Sequence, residues 1–286
     1  MKRKKIGLVL GGGGARGLAH IGVLKILEKN KIPIDYIAGT SIGAVIGALY
    51  AESKDYKELE KLANNIHKNE LIDLEFSRKG LIKGKKIETF LRKKLKSKKI
   101  EELKIPLLIT ALNKKTNKEV IFHKGDIAKA LRASISVPKL FQPVKDKKRL
   151  LIDGSWKNAL PIQALKNKGA DIIIAVNLIP LKEDKNIIYL SLKELKNKSK
   201  FSKLDKLKKP IRQKKSSLNI LIQPSVEKIK MQEFKRTKSI IKKGENTIKR
   251  EIKQIKKLIK NPNIIDRVKQ NLDVPKKSIF SKLFSN

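Results

Sequence analysis

Apolar residues fall along this chain in two rhythms. Short unbroken runs at 6–10, 35–38, 105–111, 119–122, 149–152, 171–177 and 218–222 read as buried strands. Apolar positions three or four residues apart predict helices over 18–30, 44–51, 57–68, 87–95 and 161–168, and Asp126 caps another that runs to Ala133. Strands that alternate with helices imply a mostly parallel central sheet covered on both faces, a three-layer α/β/α sandwich. Residues 71–97 mix apolar side chains with Lys and Gly and are placed to lie over the sheet edge as a flap. Beyond Leu181 the rhythm loosens into a Lys-rich stretch. It returns in the strand at 218–222 and in a long basic helix with Ile240, Ile248, Ile252, Ile255 and Ile259 on one face. The expected organisation is a main domain over 5–180, a solvated insert at 181–217, a segment at 218–260 that completes the domain by packing its helix on the sheet, and a basic tail at 261–286.

Two glycine-rich turns stand at the carboxyl ends of the first two strands. Gly11-Gly12-Gly13-Gly14-Ala15-Arg16-Gly17 contains G-x-G-x-x-G at Gly12, Gly14 and Gly17. A dinucleotide site would add an acid at the far end of the second strand, and the nearby acid, Asp35, lies at that strand's start. A Walker loop would close on Lys-Ser/Thr, which is absent here. What remains is a nest of backbone N–H groups at a helix N-terminus, suited to negative charge.

The second turn, Gly39-Thr40-Ser41-Ile42-Gly43, is a G-x-S-x-G between strand and helix. Its glycines permit a sharp bend that exposes the Ser41 hydroxyl and aims the helix N-terminus at whatever it meets. By itself the pattern also fits a turn with a helix-capping hydroxyl. Parallel neighbours bring both turns to one sheet edge, where N–H donors beside a nucleophile make an oxyanion hole.

A serine nucleophile needs a base. His20 follows the glycine loop, His67 ends a polar helix and His123 ends a strand. Ser41, Asp73 and His123 fall in the chain order of an α/β-hydrolase triad, but that fold sets several strands before its elbow and here there are two. Asp153 is the stronger candidate. It ends a strand, Gly154 follows it, and a carboxylate within hydrogen-bond reach can take the serine proton directly.

Composition adds bounds. With 69 Lys+Arg against 27 Asp+Glu the net charge is +42, densest in the C-terminal third, and an anionic membrane surface fits it as a partner. Lys, Ile and Asn are high throughout, so part of the charge reads as compositional drift, and no specific nucleic-acid partner is expected. The absence of Cys excludes disulfides and thiolate metal sites, and no other side chains have metal-ligand spacing, so neither metal nor cofactor is expected. Met1–Lys5 followed by an apolar run imitates a signal peptide, but the run stops in glycines with no cleavage site. No apolar run is long enough to span a bilayer. The chain reads as cytoplasmic, touching the inner membrane face at most.

Gly12-Gly13-Gly14-Ala15-Arg16-Gly17, Gly39-Thr40-Ser41-Ile42-Gly43, Ala133-Ser134-Ile135-Ser136-Val137-Pro138 and Asp153-Gly154, in this order, resemble the motifs of the patatin-like phospholipases. The resemblance implies the patatin-like sandwich, a Ser–Asp dyad without histidine, and hydrolysis of lipid acyl esters. Carried over, Ser41 is the nucleophile and Asp153 the proton acceptor. Gly12, Gly13 and Gly14 supply oxyanion N–H groups, Arg16 holds the loop or meets phosphate, and Gly17, Gly39, Gly43 and Gly154 support the turns. Two positions depart from the family: Ser155 stands where Gly or Ala is usual, and Lys139 where Gly is frequent. The competing expectation is a non-catalytic basic module that docks on anionic membrane or nucleic acid.

Overall fold

The computed structural model describes residues 3–65, 82–179 and 218–260. The insert at 181–217 and the tail at 261–286 lie outside them, as do residues 71–81 of the expected flap, His67 and Asp73. The strands are β1 (Ile6–Leu10), β2 (Tyr36–Thr40), β3 (Leu107–Asn113), β4 (Lys118–Phe122), β5 (Val144–Asp146), β6 (Arg149–Asp153), β7 (Ile172–Val176) and β8 (Leu218–Ile222). The helices are α1 (Ala19–Lys29), α2 (Ile42–Ser53), α3 (Tyr56–Asn65), α4 (Lys85–Lys94), α5 (Ile127–Ser134), α6 (Ile162–Lys168) and α7 (Thr237–Lys260). Hydrogen bonds join the strands along β5-β6-β3-β2-β1-β7-β8, with β4 also on β3.

Alternation along β1 sets the layers. Ile6, Leu8 and Leu10 face a core shared with α1, α2 and α7, while Val9 faces a smaller one with Leu165 of α6 and Ile173 of β7. The molecule is therefore a three-layer sandwich with a mostly parallel sheet. Leu10 pairs with Gly39 of β2 and with Val176 of β7, so the glycine loop and the serine turn leave the sheet at the same level.

The sheet is parallel through β1, β2, β3, β7 and β8, but β4, β5 and β6 are antiparallel additions. This qualifies the simple parallel reading at one important place. β2 pairs with Leu107–Thr110 of β3, and β4 holds the opposite edge over Ile109–Asn113. β6 pairs with Ala111–Asn113, so it takes over β3's first edge where β2 stops. Running in opposite directions along one edge, β2 and β6 meet with their carboxyl ends face to face.

The long basic helix packs on α1 rather than directly on the sheet. Glycines set the approach: a Cβ on Gly22 would strike the Ile241 carbonyl, and one on Gly244 would strike the Ala19 carbonyl. Ile240, Ile248 and Ile255 are buried there, as are Ile241 and Leu258. Lys25 of α1 bridges to Glu245 of α7 and to Glu60 of α3, each at 2.8 Å.

Candidate active site

β2 ends at Thr40 and the chain turns sharply into α2 through Ser41, whose φ of 55 and ψ of −130 lie far from helical or extended values. Its neighbours require glycine. A Cβ on Gly39 would meet the Ala44 backbone, and one on Gly43 would meet the Leu10 and Gly11 carbonyls. The Ser41 N–H donates to Ser134 Oγ at 2.8 Å, and the Ser41 carbonyl accepts from Ala44 and Val45. The hydroxyl does not cap α2. It donates to Asp153 Oδ2 at 2.6 Å.

Asp153 is 2 % exposed and Ser41 8 %. The other carboxylate oxygen, Oδ1, accepts the Ser155 N–H at 2.8 Å, and the Asp153 N–H donates to the Ser136 carbonyl at 3.0 Å. Gly154 has no room for a Cβ, because the Thr110 backbone lies beneath it. Burial pushes the Asp153 carboxyl above the ordinary aspartate range, while the hydrogen bonds from Ser41 and Ser155 work the other way. A carboxylate in dry surroundings is a stronger proton acceptor than one in water.

The glycine loop lies against the pair, with Gly12 packed between Ser41 and Ser155. The Gly12 N–H donates to the Ala159 carbonyl at 3.2 Å, so it is not available to an oxyanion. The N–H groups of Gly13 and Gly14 have no partner among the described residues. Gly14 has φ 57, and Met231 leaves no space for a Cβ on it. Gly17 lies against the Ile42 side chain. Arg16 donates from Nε to the Ile229 carbonyl at 2.7 Å and from a terminal nitrogen to the Glu227 carbonyl at 2.8 Å. Of its two expected roles, the geometry is that of holding the loop.

Four contributors carry no role in the sequence reading. Ser134 and Ser136 lie in a motif noted there, but only the fold shows that one takes the Ser41 N–H and the other fixes Asp153. Arg132, 3 % exposed, donates to Ser136 Oγ at 2.6 Å and to the Lys83 carbonyl at 2.7 Å. The fourth is His20. It is fully buried on α1, and its Nε2 lies 2.8 Å from the Gly11 carbonyl. A carbonyl only accepts, so Nε2 carries the hydrogen, and burial lowers the imidazole pKa to about 4. His20 therefore clamps one end of the Gly11–Gly12 peptide, and Ala159 clamps the other. Its one sequence signal is a histidine on an otherwise apolar helix face just behind the glycine run.

Lys139, at the family's frequent glycine, has φ 69, the left-handed conformation that favours glycine. Among the described residues no group of His, Asp or Glu side chains could hold a metal ion, and no helix is long and apolar enough to cross a membrane.

The chain is similar to several known proteins. Lysophospholipase NTE1 of Yarrowia lipolytica is 34% identical over 179 residues, which is 60% of this chain and 12% of that protein. Lysophospholipase NTE1 of Coccidioides immitis is 36% identical over 181 residues, 61% of this chain and 12% of that protein. A patatin-like phospholipase domain-containing protein of Caenorhabditis elegans, ZK370.4, is 34% identical over 186 residues, 62% of this chain and 14% of that protein. The chain thus spans roughly an eighth of the length of the curated relatives it matches. Among solved structures, VipD from Legionella pneumophila superposes with a TM-score of 0.56 at 16% identity, covering 88% of this chain and 67% of that one, which shows the shared fold. The family model of patatin-like phospholipases matches residues 8–166, and the chain belongs to that family.

Proposed function

We propose that this chain hydrolyses acyl esters of lipids, in the manner of a phospholipase or lysophospholipase, through Ser41 and Asp153. Asp153 Oδ2 accepts the hydroxyl proton as Ser41 Oγ attacks the ester carbonyl. The oxyanion is held by the N–H groups of Gly13 and Gly14 at the loop preceding α1. The proton passes from Asp153 to the leaving alcohol. A water molecule then attacks the acyl-serine as Asp153 takes its proton, and Asp153 returns that proton to Ser41 Oγ as the fatty acid leaves. The observation that carries this reading is the 2.6 Å hydrogen bond between a serine in a strained strand-to-helix turn and a buried carboxylate. Neither His20 nor His123 bonds either group, and His20 is committed to Gly11. The names of the relatives support lysophospholipid among the substrates, and the net charge of +42 supports an anionic membrane as the place where it is met.

The test is hydrolysis of a soluble short-chain acyl ester, together with labelling by a fluorophosphonate. Ser41→Ala and Asp153→Asn are each expected to lower kcat by roughly 1,000-fold or more, and Ser41→Ala to abolish labelling. Wild-type turnover in Ser41→Ala would remove the basis of the proposal.

A further inference from the structure

Among the described residues five large apolar side chains are exposed: Ile121, Leu140, Trp156, Met231 and Phe234. Ile121 sits on the outlying strand β4, and Phe234 lines a groove with Ala63 and Asn64. The other three hang from backbone that touches the candidate active site. Leu140 closes the turn that begins after Ser136, the residue bonded to the Asp153 N–H. Trp156 is the third residue after Asp153, at the end of a short 3-10 turn, and is 61% exposed. The Met231 carbonyl accepts the Ala15 N–H, and its side chain lies over Gly14.

Each of the three stands beside an exposed lysine: Lys139-Leu140, Trp156-Lys157 and Lys230-Met231. Three separate loops thus offer the same pair at the rim of one site. An apolar side chain with a neighbouring ammonium on a long stem suits the boundary of an anionic bilayer. The apolar part enters the acyl region, and the lysine stays at the phosphates.

We propose that these three pairs form the surface by which the protein docks on anionic phospholipid, with the mouth of the Ser41 site facing the bilayer. The proposal rests on the acyl-hydrolase reading, since it supplies the route by which a lipid acyl chain reaches Ser41. Charge complementarity selects the occupant. The rim is cationic within a chain of net +42, and each cation is placed to reach a headgroup while its neighbour is buried in lipid.

Trp156 is the only tryptophan in the chain, so its fluorescence reports on this rim alone. The full-length protein carrying Ser41→Ala, which leaves lipid uncut, is mixed with phosphatidylglycerol-containing vesicles and with pure phosphatidylcholine vesicles. Emission is expected to shift to the blue and to be quenched by brominated acyl chains only with the anionic vesicles, and the shift is expected to reverse in high salt. In co-sedimentation, Leu140→Ser and Lys157→Gln each lower partitioning roughly tenfold. In the Ser41-intact protein both substitutions leave hydrolysis of a soluble short-chain ester unchanged, and that measurement separates failure of docking from failure of the dyad. Vesicle binding with unchanged Trp156 emission would overturn the proposal, because docking would then use another face. So would an emission shift induced by RNA or by an acidic protein but not by vesicles.

Discussion

Ser41 Oγ and Asp153 Oδ2 stand 2.6 Å apart because the strands that carry them meet end to end. β2 and β6 share one edge of β3 and run in opposite directions, so each delivers its last residues to the same gap. A Ser–acid–His arrangement lets an imidazole bridge the distance between strand ends. Here the two strands close that distance themselves, and the carboxylate reaches the hydroxyl with no intermediary.

The buried carboxylate has a signature in pH. Because burial raises its folded pKa, Asp153 favours the folded state below the ordinary aspartate range and loses that contribution as pH rises through the raised value. Asp153→Asn is therefore expected to melt higher than wild type at pH 7, with the gain shrinking toward pH 4. The activity profile should show an acid limb above the usual aspartate pKa of about 3.9, since only the carboxylate accepts the serine proton. An acid limb at or below that value would count against Asp153 as the base.

His20 is expected to act through the loop. His20→Phe leaves the Gly11 carbonyl unpaired in the core and frees one end of the Gly11–Gly12 peptide. The expected outcome is a fall in kcat of about 10- to 100-fold with KM for a soluble ester little changed, and partial recovery in His20→Gln, whose amide can replace the Nε2 donor. Thermal melts give a second reading. A folded pKa of about 4 against 6.5 means that His20 contributes stability above pH 6.5, which is lost as pH falls toward 4. The loss is on the order of 3 kcal/mol. His20→Phe should flatten that part of the melting profile relative to wild type, and wild-type kcat in the variant would dismiss the clamp.

The glycines beside Ser41 are not equivalent. A Cβ on Gly43 meets the carbonyls of Leu10 and Gly11, which belong to the sheet and to the loop and cannot step aside. A Cβ on Gly17 meets the side chain of Ile42, which can rotate. Gly43→Ala should cost about 3 kcal/mol or more and Gly17→Ala about 1 kcal/mol, measured by urea denaturation. Equal costs would show that the loop moves more freely than its packing implies.

Lys139 offers a trade. Its left-handed backbone is costly for any residue with a Cβ, so Lys139→Gly should stabilise the fold by up to about 1 kcal/mol after glycine's greater unfolded freedom is deducted. The same change removes a rim cation and should weaken binding to anionic vesicles. A protein that is both more stable and less adherent is the expected result, read by melting and by co-sedimentation.

The long strands were legible because an unbroken apolar run such as Ile172–Val176 has few other uses. The apolar spacing of Ile21, Leu24 and Leu27 likewise marks the face of α1 that the structure buries. The juxtaposition of Ser41 and Asp153 was legible because each closes a strand and is followed or flanked by glycine. β5 was not, since Val144–Asp146 is three residues long and two of them are charged. Without β5 the hairpin with β6 is invisible, and so is the antiparallel approach that brings Asp153 in. The state of the Gly12 N–H was hidden for a related reason. Its acceptor, Ala159, lies in an irregular stretch that no periodicity describes. Lys139 shows the reverse case, where the position at which the family resemblance implies glycine has a left-handed backbone.

The clamp on Arg16 has a consequence for how the protein comes into being. Its carbonyl partners at Glu227 and Ile229 lie 211 and 213 positions further along the chain. Both reacting side chains leave the ribosome long before those carbonyls do, and domains take shape as the chain emerges. A growing polypeptide would thus carry a paired Ser41 and Asp153 while the neighbouring amides remain unset, and under the proposed function hydrolysis would wait for β8 and α7. A version ended at residue 217 should accordingly turn over no soluble ester, and supplying 218–286 as a separate piece should restore part of the rate. Late completion of this kind would keep the proposed hydrolase silent until β8 has joined β7 and α7 has packed on α1.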